Sequence, residues 1–149
     1  MFEAKITEVA IGQIRGLVKP SDKERQAAFD LFIELASRTT TTPLTPTSGL
    51  LREALSSLYA FFGITREVLR THGCDVANSR HDGNLTLAAI ALRVLNEVIR
   101  PCLSKWHPEL TSWEEKRVID GAGATTVEWE RAWPHAAECR ADLNALRAE

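Results

Sequence analysis

At 149 residues, with 44% hydrophobic and 26% charged side chains and a formal net charge of −2, the chain has the balance of a folded domain. A chain of this size buries roughly 70% of its unfolded surface around a core, which excludes wholesale disorder. Charge is spread too evenly for a nucleic-acid stripe: residues 1–49 hold six basic and six acidic side chains, 50–108 seven and five, and 109–149 five and nine. Phosphate binding wants clustered cations, and an acidic C-terminal third does not suit an anionic membrane surface.

No uninterrupted apolar run approaches the ~20 residues of a membrane helix, and Met1-Phe2-Glu3 puts an acid where a secretion signal needs bases. Cys74, Cys102 and Cys139 are odd in number and widely spaced, so they form no disulfide framework. The expectation is a cytoplasmic protein with buried, reduced thiols and neither nucleic acid nor membrane as partner.

Residues 2–18 carry two patterns. Phe2, Ala4 and Ile6 alternate like a strand, while Ile6, Val9, Ala10, Ile14, Leu17 and Val18 recur at helical spacing. The longer pattern favours an N-terminal helix or arm over residues 1–20, weakened by Gly12 and Gly16. Ser21 with Glu24 is a capping box, opening a helix to about Arg38 with Phe29, Phe32, Ile33 and Ala36 on one face. The threonines and prolines of 39–48 predict an extended, exposed connector.

From Leu50 to His72, Leu51, Ala54, Leu55, Leu58, Phe61, Phe62, Thr65, Val68 and Leu69 keep helical spacing. Gly63 inside it points to a close neighbour or a local bend, and Gly73 to a left-handed cap. A polar loop follows to Asn84. The next helix starts near Thr86 and turns Leu87, Ile90, Ala91, Val94, Leu95, Val98, Cys102 and Leu103 inward, with Pro101 kinking or ending it. Thr111 or Ser112 then caps a short turn near Trp113, and 118–125 reads as a loop. A second capping box, Thr125 with Glu128, begins a last helix with Trp129, Trp133, Ala136, Arg140 and Leu143 along one stripe, perturbed by Pro134. These elements predict an all-α single domain over 1–149, an antiparallel bundle of four to five helices.

Two strings, Gly49 to Arg70 (GLLREALSSLYAFFGITREVLR) and Leu95 to Leu110 (LNEVIRPCLSKWHPEL), resemble a bacterial all-helical domain of unassigned activity that accompanies signalling or defence modules. The resemblance covers about half the chain and carries no catalytic residue. It implies an interaction or sensor role.

Three chemistries compete on the residues themselves. Surplus aromatic and basic material at Arg100, Lys105, Trp106, His107 and Trp113 favours a non-enzymatic surface for a protein partner or self-association. Arg66 with Arg70, and Arg93 with Arg100, share faces of the two central helices and can converge on an anionic small molecule; Glu53, Glu67 and Glu97 are equally near and can neutralise them instead. Last, His72, Cys74, Asp75, His81 and Asp82 offer ligands for a metal-dependent enzyme, but without Cys-x-x-Cys or His-x-x-x-His spacing. No metal or cofactor is expected, and the leading reading is an interaction or adaptor domain.

Overall fold

The computed structural model describes residues 7–38, 42–77 and 84–148. It is predominantly α-helical, with paired strands confined to one small hairpin among the described residues. Two compact units interleave along the chain: Met1–Ser37 with Ala60–Val98, and Arg38–Tyr59 with Ile99–Glu149.

The first unit opens on the hairpin, β1 Thr7–Ile11 and β2 Ile14–Val18, paired antiparallel from Thr7↔Val18 to Ile11↔Ile14. This corrects the helix expected over 2–18; Phe2, Ala4 and Ile6 lie outside the described residues. Thr7, Val9, Ile11, Ile14 and Val18 are β-branched and suit a pleated backbone. Gly12 supplies φ +55 for a two-residue Gly-X turn with Gln13, a glycine requirement that a helical reading registers only as weakness. Gly16 serves a different need: a side chain there would collide with Leu85, whose N–H donates to the Leu17 carbonyl at 2.8 Å.

Helix α1, Asp22–Ala36, begins at the expected capping box, with Ser21 Oγ accepting from Glu24 N–H and Glu24 Oε2 accepting from Ser21 N–H at 2.7 Å. Glu24 is buried, and its other oxygen accepts from Leu87 N–H at 3.1 Å. One carboxylate therefore stabilises the N-termini of α1 and of α3, Leu87–Arg93, whose own cap is Thr86. The core is small: Ile14, Val18, Ala27, Phe61, Val76, Ala88 and Leu95 are its buried apolar residues.

Helix α2, Leu51–His72, spans the length expected. Among the described residues Gly63 meets no neighbouring helix, because a methyl group there would have only Arg66 Nη2, at 4.0 Å, within reach. Beyond α3 the helix does not end. Val94–Ile99 widens into a π-helical turn and continues as α4, Arg100–Asp120, through both Pro101 and Pro108. Of the kink or end expected at Pro101, the end does not occur, and the separate turn expected near Trp113 lies inside α4. Proline cannot donate to the carbonyl four residues back and its ring crowds it; a wider turn immediately upstream relieves both.

The second unit is better filled. Leu51, Leu55 and Leu58 of α2, and Ile99, Leu103, Trp106 and Leu110 of the α4 segment, are buried. So are Trp133, Ala136, Cys139 and Leu143. Helix α5, Thr126–Arg131, starts at the second capping box, and Pro134 separates it from α6, Ala136–Ala148. The connector at 42–48 is exposed but held: Asn144 donates to the Leu44 carbonyl (2.8 Å) and accepts from its N–H (3.0 Å), and Arg131 donates to the Thr47 carbonyl (2.9 Å).

A buried ion pair organises this unit. Arg140 donates to Glu130 Oε1 at 2.9 Å, with side-chain exposures of 10% and 4%. Glu130 in turn accepts from the N–H groups of Leu51 (3.0 Å) and Arg52 (3.3 Å), capping α2 from 79 residues away in sequence. Arg140 completes the arrangement by donating to the Gly49 carbonyl at 2.9 Å.

Candidate interaction surface

The tryptophans form two closed pairs in the second unit. Trp113 and Trp129 stack at 4.7 Å between centroids, each indole N–H donating to the other's carbonyl at 2.8 and 2.9 Å. Trp106 packs edge-on against Trp133 at 5.8 Å and donates to Asp142 at 2.9 Å. With only 2% of its surface exposed, Trp106 is withdrawn from any docking face. Indoles placed this way close a core, with the N–H groups of Trp106, Trp113 and Trp129 satisfied.

The neighbouring polar residues are also engaged. Lys105 donates to Glu138 (2.9 Å) and Asp142 (3.0 Å) and lies 4.1 Å over the Trp106 ring. Those hydrogen bonds raise the lysine's pKa and, from the other side, lower those of Glu138 and Asp142. Arg52 grips Glu114 through Nε and Nη2, reaches Thr111 at 3.0 Å and lies 3.3 Å from His107 Nε2. His107 also sits 5.9 Å from the Tyr59 ring. Sequence reasoning missed Arg52 and Glu114, which are 62 residues apart and share no motif.

Of the four arginines proposed for an anion, three belong to the first unit and one to the second. Arg66 and Arg70 are exposed on the part of α2 that belongs to the first unit. Arg93 is held by Glu97 four residues on, at 2.9 and 3.1 Å. Arg100 opens α4 in the second unit. Two open grooves, of about 460 and 440 Å³, lie within that unit, and none of the four lines either. The metal-loop residues are likewise divided: His72 bonds Asp30 at 2.7 Å, Asp75 pairs with Lys23, and His81 and Asp82 lie outside the described residues. Burial pushes the thiols of Cys102 and Cys139 up to about 11 and about 12, leaving both protonated and unreactive at neutral pH.

The exposed apolar material is on α1. Its inward side carries Glu24 and Ala27, while Phe29, Phe32 and Ile33 stand 61%, 60% and 48% exposed. At 100° per residue these three and Ala36 span a stripe about 100° wide, on the side opposite the buried residues. Elsewhere Leu17, Tyr59, Leu92 and Val127 are exposed singly, and Val118 and Ile119 at the end of α4 as a pair.

No family model, no curated protein and no solved structure matches this chain. Among the described residues no helix is long and apolar enough to cross a membrane, and no cluster of three or more His, Cys, Asp or Glu stands ready for a metal.

Proposed function

We propose that the chain is a non-enzymatic helical interaction domain that docks through the outward stripe of α1. The observation that carries this reading is the exposure of Phe29, Phe32 and Ile33 on one helix face. By the ~150–250 Å² of a whole aromatic side chain, the stripe with its neighbour Leu35 amounts to about 400 Å², the size at which apolar patches tend to mark binding sites. The surface inferred from Lys105, Trp106, His107 and Trp113 is less suited, because those groups already bond Glu138, Asp142, Arg52 and the Trp129 carbonyl within the chain. Three free cysteines fit a reducing, cytoplasmic setting. The resemblance to helical domains beside signalling or defence modules supports an adaptor role of the same kind.

The test is site-resolved cross-linking in the source cell. A photoreactive phenylalanine analogue at position 32 is expected to give a discrete adduct that Phe29→Asp abolishes. Analogues at 29, 32 and 33 that all fail to give an adduct overturn the reading.

A further inference from the structure

Resting on that reading, we infer that the occupant of the α1 stripe is a second copy of this chain, with the two α1 helices packed antiparallel about a two-fold axis between Phe29 and Phe32. The stripe has the spacing of a helix–helix seam: Arg25, Phe29, Phe32 and Ala36 follow one another at intervals of four, three and four. Reversed upon itself, the seam sets Phe29 against the partner's Phe32, and the aliphatic stem of Arg25 against the partner's Ala36. The small residues Ala28 and Ala36 beside the phenylalanines let the two backbones approach.

Charge points the same way. Between Ala28 and Ala36 the stripe carries no ionisable group: Asp30 is turned to His72, and Glu34 lies on the flank toward the buried side. A strongly acidic or basic partner finds nothing there to pair with, whereas an uncharged aromatic ridge does. Size agrees as well. About 400 Å² per copy doubles to about 800 Å² of apolar surface, and the flanks at Arg25, Gln26 and Ala28 bring the total toward the ~1,200 Å² at which stable interfaces begin. A two-fold contact also uses the patch on both copies at once, so association stops at the dimer.

Light scattering of the full chain over a dilution series tests this. The expected mass is twice 16.6 kDa, falling to 16.6 kDa only on dilution. Phe29→Asp with Phe32→Asp is expected to weaken association by roughly a hundredfold or more while the far-UV circular dichroism stays unchanged. The double variant Val118→Asp/Ile119→Asp is expected to remain dimeric. In a Cys74→Ser background, Phe29→Cys and Phe32→Cys copies mixed together should form a disulfide, and Arg25→Cys copies alone should not, because the antiparallel register holds those positions too far apart. A wild-type chain that is monomeric throughout overturns the second copy as occupant; an adduct of different mass at position 32 would then leave the α1 reading standing without it. A dimer that survives both aspartates, or that only the Val118/Ile119 variant dissolves, overturns the seam. Self-linking of Arg25→Cys overturns the antiparallel arrangement.

Discussion

The second unit pairs its tryptophans, Trp106 edge-on with Trp133 and Trp113 stacked on Trp129, and leaves Tyr59 outward, whereas the first leaves Phe29 and Phe32 facing outward along one helix. The difference extends to the polar framework. Both units bury a glutamate that caps a helix N-terminus, but Glu130 is locked by Arg140 as well as by the N–H groups of Leu51 and Arg52, while Glu24 reaches Ser21 and Leu87 beneath a thin apolar layer. The second unit's exposed apolar side chains, Tyr59, Val118, Ile119 and Val127, lie on three different helices. The first unit's outward phenylalanines share one helix face, and a partner that covered them would stabilise its folded state.

The contrast can be broken or sharpened by substitution. The largest effect is expected for Trp106→Ala, which removes a buried indole and its bond to Asp142 and should cost about 3–5 kcal/mol in denaturant unfolding. In dilute solution Phe32→Ala should stay within about 0.5 kcal/mol of the wild type. Equal losses would mean that α1 is buried in the free chain. A smaller effect of opposite sign is expected at two positions of α2 in the first unit. Gly63→Ala should gain about 1 kcal/mol, since the site is exposed and has room for a methyl group. Thr65→Val should gain up to about 1 kcal/mol, because the Thr65 hydroxyl is buried with no hydrogen-bond partner among the described residues. Destabilisation by either would show a tighter unit than described.

The smallest effect is a pH dependence in the second unit. Asp142 titrates below its ordinary value because Lys105, and then the Trp106 N–H, bond its ionised form. A depressed folded pKa contributes stability that is whole above the unfolded value of about 4 and is lost as pH falls through the folded value. Thermal melts from neutral to acid pH should therefore fall less steeply for Asp142→Asn. An unchanged acid limb would remove Asp142 from the account.

Local rules made much of this legible. Both capping boxes, the span of α2 and the start of α3 follow from side chains that bond their own neighbourhood, and the stripe through Trp133, Ala136, Arg140 and Leu143 is indeed buried. Periodicity in α1 identified a coherent apolar face, but no spacing rule says whether such a face turns to the chain's own core or to another molecule. The hairpin was misjudged because Gly12 weakens a helix and enables a turn alike, and only its positive φ separates the two. Pro101 left a kink and an end equally open, because the widened turn upstream that lets the helix run on leaves no mark in composition. Arg52–Glu114 and Glu130–Leu51 join residues 62 and 79 positions apart, which no local pattern can relate. That is also why the partners of Trp106 and its neighbours, Asp142, Glu138 and Arg52, could not be read from the sequence.

Glu130 sets a timetable for the newborn chain. At ~5–20 residues per second, a ribosome releases Leu51 roughly 4–16 seconds before the carboxylate that will cap it. Through that interval the front of the long helix has bare amides, and its leucines lack the tryptophan-lined wall. Because Met1–Ser37 and Ala60–Val98 alternate with the segments of the other unit, no single scission can liberate either half intact. A nick near Ser37 would leave the remaining polypeptide missing its hairpin and its phenylalanine ridge together.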